Sequence, residues 1–185
     1  MIGKTFKNLK IITCHLGGGV SITAIKNGRA IDTSMGFSPM EGPAMMSRAG
    51  SIDPAIILEL ISDSSVEKVK KILNFESGIK GICGEGEMLT VLKLIKRGDK
   101  KAKLALEIFV YQIKKYIGAY FAILGGCDLL VFTGKIGFGS SKIRNMICKD
   151  IPILRNTRVI PIKTDEELAI AKKIRTFRRF APQEP

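Results

Sequence analysis

The sequence predicts an α/β fold in a single domain: a mixed β-sheet flanked by helices. Three observations carry that expectation. Three strand-like stretches follow one another near the start, one long central stretch has helical periodicity, and the remainder alternates strand, helix, strand, helix. Consecutive strands joined by short turns pair antiparallel, and strands separated by a helix pair in parallel, so a chain with both patterns needs a mixed sheet. At 185 residues and 45% hydrophobic, the chain is long enough for one core.

The first strand is the β-branched run KIITC, ending just before three consecutive glycines, Gly17, Gly18 and Gly19. SITAI and RAIDTS alternate around Lys26-Asn27-Gly28, and Asn-Gly between alternating apolar residues is a hairpin signal. Residues 35 to 52, MGFSPMEGPAMMSRAGSI, are too rich in Gly, Pro and Met for regular structure. Asp53-Pro54 reads as an N-cap with Pro at the first helical position of a helix reaching Ile61, and a second helix is expected from Ser65 to Leu73. GIKGICGEGE is read as a glycine loop leading into the amphipathic MLTVLKLIK. From Asp99 to Leu124, apolar Ala102, Leu106, Phe109, Ile113, Ile117, Tyr120 and Leu124 recur at spacings of three and four, which predicts one long helix with a buried stripe. DLLVFT is a continuous apolar strand, GKIGFGSS a third glycine loop, and SKIRNMICK the helix beyond it. RVIPI is the last strand, and TDEELAIAKKIR a last helix that opens with acids and ends in bases, as the helix dipole favours.

Composition narrows the function. Four scattered cysteines, Cys14, Cys83, Cys127 and Cys148, form no CxxC pair, and the sole histidine is His15, so neither a zinc site nor a disulfide framework is expected. They are read as reduced, cytoplasmic and mostly buried. The basic N-terminus has too short an apolar run for a signal peptide, and the longest apolar stretch is broken by Gly125, Gly126 and Asp128, so no membrane partner is expected. The net charge of +13 comes from EKVKK, KLIKRGDKKAK and KKIRTFRR. These runs lie on helical patterns and are interleaved with no stacking aromatics except Phe177 and Phe180, so solvated helix faces are favoured over a nucleic-acid surface.

Three glycine loops remain to be explained, all near element junctions and two directly after strands. Glycine there lets backbone approach a ligand and aim N–H groups at it, which is how phosphate is commonly cradled.

The segments KIITCHLGGGVSITAIKNGRAIDTSMGFSPMEGPAMMSRAGSIDPAII, GDKKAKLALEIFVYQIKKYIGAYFAILGGCDLLVFT and IPIKTDEELAIA resemble the acetate kinase family continuously over most of residues 8 to 172. That family shares the ribonuclease-H-like, actin-like ATPase domain of actin, Hsp70 and sugar kinases. The resemblance implies transfer of the ATP γ-phosphoryl group to acetate or another short carboxylate, with Mg²⁺, in a cytoplasmic homodimer. It places His15, Leu16, Gly17, Gly18 and Gly19 in a phosphate-binding loop, usually HLGNG, in which Gly18 replaces asparagine. Arg48 matches the arginine that stabilises the transferring phosphoryl group, a role that suits a planar, always-charged guanidinium. Glu166 matches the magnesium-associated glutamate.

Departures accompany the match. The family loop GIGEN corresponds to Lys135, Ile136, Gly137, Phe138 and Gly139, where lysine replaces the first glycine and the acid-amide pair is lost. Lys135 either obstructs close backbone approach or offers its ammonium to phosphate. The adenosine-contacting segment falls at Glu87, Met88 and Leu89, without the family's arginine, and the chain is shorter than the family pattern between Cys148 and Arg158. Family members are about twice as long, so residues 1–185 are expected to be the C-terminal, nucleotide-binding domain alone, from a split or truncated gene. ATP or ADP and a separately encoded N-terminal half are then the expected partners, and the chain alone should turn over little. Two other readings stand beside this one: a non-catalytic nucleotide-binding or dimerisation module, and a basic nucleic-acid-binding protein, whose binding would fall steeply with salt.

Overall fold

The computed structural model describes residues 8–178. Its centre is a five-stranded sheet in the order β3-β2-β1-β4-β5. β2 (Val20–Lys26) runs antiparallel to both its neighbours, β1 (Lys10–Leu16) and β3 (Arg29–Thr33), whereas β4 (Leu129–Thr133) joins β1 in parallel and β5 (Arg158–Pro161) joins β4 in parallel. This is the predicted mixed sheet. The β2–β3 turn has Asn27 at φ 55° and Gly28 at φ 78°, the left-handed pair that a tight hairpin requires. β3 is exposed along its whole length and β5 ends in Pro161, which has no N–H to offer a further strand.

The helices are α1 (Pro54–Ser62), α2 (Val66–Lys71), α3 (Gly78–Cys83), α4 (Met88–Lys96), α5 (Lys100–Leu124), α6 (Gly134–Gly139), α7 (Ser141–Cys148) and α8 (Glu166–Arg178). α5 begins where the Asp99 side chain accepts from the Ala102 N–H at 2.8 Å and ends at Gly125 in the left-handed conformation. Its predicted stripe is buried in full, joined by Ala105 and Val110. It packs on the sheet face made by Ile12, Cys14 and Leu16 of β1, Val20, Ile22 and Ala24 of β2, and Leu130 and Phe132 of β4. Each such side chain contributes roughly 1.5–3 kcal/mol by leaving water. On the opposite face Leu9, Ile11 and Val131 form a smaller cluster, which is why the neighbours Ile11 and Ile12 of β1 are both buried.

Several expectations need correction. GIKGICGEGE is a loop only after Cys83, because its first six residues form α3. GKIGFGSS is not a loop: Gly134–Gly139 form α6 and Ser140 caps α7 by accepting from Ile143 N–H. Gly78, Gly81, Gly134 and Gly137 supply close packing, whereas Gly84 ends α3 in the left-handed conformation at φ 81°. The second predicted helix stops being α-helical at Lys71 and continues as a π turn over Ile72–Glu76. A short 3₁₀ turn at Pro152–Leu154 was not anticipated. Of the four thiols only Cys14 is fully buried; Cys83, Cys127 and Cys148 are partly exposed, since the last two lie at strand and helix ends. Phe180, noted above, lies outside the described residues. No helix among the described residues is long and apolar enough to cross a membrane.

Candidate functional site

Parallel pairing brings the carboxyl ends of β1 and β4 together, the place where open α/β sheets leave a crevice. His15 lies opposite Thr133 in that register, and its Nδ1 is 3.0 Å from the Thr133 hydroxyl. Thr133 was missed by sequence reasoning; its one signal is a hydroxyl closing an otherwise apolar strand. Beyond His15 the chain turns through Gly17–Gly19, with Gly17 N–H donating to Gly19 O at 2.9 Å. Leu16 sends its side chain into the core, so its place in the site is its backbone. Gly18 is exposed, and a Cβ there would meet nothing within 4 Å.

The irregular stretch after β3 folds back onto this turn. Met46 N–H donates to Gly18 O at 3.3 Å, and the Arg48 guanidinium passes so close that a Cβ at Gly19 would lie 3.2 Å from its Nη1. Arg48 Nη1 also donates to Pro39 O at 3.0 Å, which fixes its direction. The stretch is anchored by its backbone: Ala49 N–H to Leu73 O, Met45 O from Ile79 N–H, Met46 O from Lys80 N–H, and Ser47 O from Ser77 N–H. Met45 and Met46 are buried, which explains why a Met-rich segment without regular structure holds one shape. Gln112 of α5 adds a further hold, its Oε1 accepting from Ala44 N–H at 2.5 Å. No local pattern points to that role, because Gln112 sits on the flank of an apolar stripe.

α6 closes the other side. Gly134, at φ 77°, packs where a Cβ would stand 2.6 Å from Leu16 O, and Gly137 is buried against Leu16 and Cys14 O. Only glycine fits the first of these positions. Arg144 of α7 holds the far end of α6, its Nη1 donating to Gly137 O at 2.9 Å and Phe138 O at 2.7 Å. Between α4 and α6 lies a cavity of about 200 Å³ lined by Glu87, Met88, Leu92, Lys135, Ile136 and Gly139 among others. Lys135 Nζ is 3.4 Å from Glu87 Oε1 at its mouth. Met88 and Ile136 are buried, whereas Leu89, Phe138 and Gly139 are exposed.

The expected residues thus fall in two neighbouring places: His15, the glycine turn and Arg48 at the ends of β1 and β4, and Glu87, Met88, Leu89 and Lys135–Gly139 around the α4–α6 cavity, with α6 packed against Leu16 between them. A side-chain-free turn beside a guanidinium is suited to an oxyanion. Glu166 opens α8, and its side chain is outside those described. Among the described residues no three His, Cys, Asp or Glu side chains come together as a metal site. Beneath the crevice the buried Cys14 thiol is pushed well above the usual range, first by burial and then by Cys148 and Cys127, so it is unsuited to act as a nucleophile.

The model of the acetokinase family matches residues 1–174. The acetate kinase of Sulfurovum sp. (strain NBC37-1) is 44% identical, with 94% of this chain and 50% of the relative covered. That of Lawsonia intracellularis is 41% identical over 92% of this chain and 48% of the relative. Among solved structures, Porphyromonas gingivalis acetate kinase matches with a TM-score of 0.88 at 34% identity, covering 95% of this chain and 50% of that one. A propionate kinase from Francisella tularensis matches with a TM-score of 0.85 at 37% identity, covering 90% and 49%. The chain spans about half the length of these relatives. On a family match over nearly its whole length, and a fold shared with solved members, the chain belongs to the acetokinase family.

Proposed function

We propose that the chain is the nucleotide-binding, C-terminal portion of an acetate kinase-type phosphotransferase, catalysing ATP + acetate = acetyl phosphate + ADP together with the rest of the enzyme. The observation that carries this reading is Arg48 Nη1 held over Gly19 at the shared ends of β1 and β4. His15 and the Gly17–Gly19 turn would take the nucleotide phosphates, and the cavity between α4 and α6 would take the nucleoside, with Glu87, Met88, Leu89, Lys135, Ile136, Gly137, Phe138 and Gly139 as its surroundings. Arg48 would complement the charge that spreads over the equatorial oxygens during transfer.

A magnesium ion carried on the nucleotide phosphates, with Glu166 as its protein carboxylate, suits this reading, since phosphate oxygens plus one or two carboxylates are its usual ligands. Bound in that way it offsets phosphate charge. Apart from the charge of Arg48, what is assigned to this chain is positioning, a large part of what phosphoryl transfer asks of a protein. The reading brings with it a cytoplasmic location, a short carboxylate as second substrate, and a homodimer, the last by family resemblance alone.

The test is calorimetric titration of Mg-ATP into the folded chain, followed by acetyl phosphate formation with and without the N-terminal half of a relative. Saturable binding, little turnover alone and turnover on addition of that half are expected. Binding with no turnover in any combination would favour a non-catalytic nucleotide-binding or dimerisation module, for which the lost acid-amide pair at Phe138 and Gly139 speaks. No binding by the folded chain would overturn the proposal.

A further inference from the structure

Lys135 and Glu87 face each other across a cavity whose floor, Met88, Leu92 and Ile136, is apolar. Such a floor suits the flat face of a heterocycle and offers nothing to an anion. The charges are confined to the mouth, where the rest of a ligand would emerge. The pair itself is weakly held: its side chains are 76% and 53% exposed, and exposed pairs of this kind contribute little, so opening one costs little. The base of Lys135 is firmly placed, because Gly134 is locked against Leu16 O and Arg144 grips the last turn of α6. That places a flexible four-carbon stem one residue from the backbone leading into the glycine turn.

We infer that Lys135 is a ligand-binding residue: Glu87 parks its ammonium in the ligand-free protein, and a nucleotide entering the α4–α6 cavity takes that ammonium onto its phosphate chain. The inference rests on the nucleotide reading above. Its driving force is charge, since a polyphosphate carries several negative charges where Glu87 carries one. Glu87 is then a competitor of the phosphates, and removing it strengthens binding even though it lines the site. That reversed sign separates this arrangement from a passive surface pair, and from a lysine that plugs the cavity.

The experiment is calorimetric titration of Mg-ATP and, separately, of adenosine into the full chain and its variants, with circular dichroism confirming each fold. Lys135→Met is expected to weaken Mg-ATP about tenfold. Glu87→Gln is expected to tighten it about threefold. The double variant should match Lys135→Met, and adenosine should shift less than about twofold in all, since it carries no phosphate. Lys71→Met, which breaks the comparable exposed pair Lys71–Glu76 at 3.1 Å, should leave both ligands unchanged. Unaltered Mg-ATP affinity in Lys135→Met, tighter affinity there, or an equal loss in Lys71→Met would each overturn the inference. Failure of the parent chain to bind Mg-ATP would overturn the nucleotide reading itself, and it shows before any variant is compared.

Discussion

The Gly17–Gly19 turn and α6 flank the same strand ends, yet they are secured differently. The turn and the Arg48 segment are tied down by main-chain hydrogen bonds to α3, to the π turn and to each other, with Met45 and Met46 sunk in the core. The cavity mouth beside α6 is closed by an exposed lysine and glutamate. Backbone fastening resists substitutions that shift the main chain, because a displaced carbonyl or amide loses its partner. Side chains in solvent can be exchanged with little effect on the fold. The expected departures from the family pattern, Gly18, Leu89, Lys135, Phe138 and Gly139, all fall at exposed positions, while Gly137, which keeps it, is buried where the backbone is crowded.

Predictions follow that contrast from the largest effect downward. Arg48→Ala, assayed with a supplied N-terminal half, should lower acetyl phosphate formation about 10³-fold, roughly 4 kcal/mol of barrier, with little change in the thermal midpoint. Turnover unaffected by this change would mean that Arg48 is only a loop residue. Gly134→Val should destabilise the chain by roughly 3 kcal/mol in urea titration, since it adds bulk against Leu16 O at a positive φ. If it unfolds at the parent's midpoint, the crowding argued for the strand ends is mistaken. Gln112→Leu should cost about 1–3 kcal/mol by leaving the Ala44 N–H without its acceptor, and Gln112→Glu should recover most of that.

Alkaline pH probes the rigid part through its thiols. Burial pushes the Cys127 thiol from 9.0 up to about 11, and Cys14 in the same direction. A group whose pKa is raised by folding contributes stability that is complete below its unfolded value and fades as pH climbs through its folded one. The urea midpoint should therefore fall between pH 9 and pH 11, and fall less in Cys127→Ala. An identical fall in that variant would assign the loss to other groups. Smallest is Gly18→Asn, which enters open space and should change stability by less than about 0.5 kcal/mol while tightening Mg-ATP. Weaker nucleotide binding there would show that the turn needs bare backbone at its centre.

Legibility in the sequence followed the kind of interaction involved. The α5 stripe, the hairpin at Asn27-Gly28 and the apolar run of β4 were plain because burial and turn geometry act on residues close in sequence. Glycine misled in α3 and α6, where its small size serves contacts with Leu16 and Met45 that no local pattern records. Family resemblance located His15 and Arg48 in the chain but said nothing of Thr133 and Pro39 as their companions, or of Gln112 holding Ala44.

The sequence by itself determined the mixed sheet, the long buried helix and the family, since periodicity and extended similarity are written along the chain. Tertiary structure alone decided that Arg48 lies over Gly19, that His15 meets Thr133, and that Lys135 answers to Glu87. Those pairs join residues 29 to 118 positions apart, and only the parallel pairing of β1 with β4, the folding back of the Arg48 segment and the approach of α4 to α6 bring them within reach.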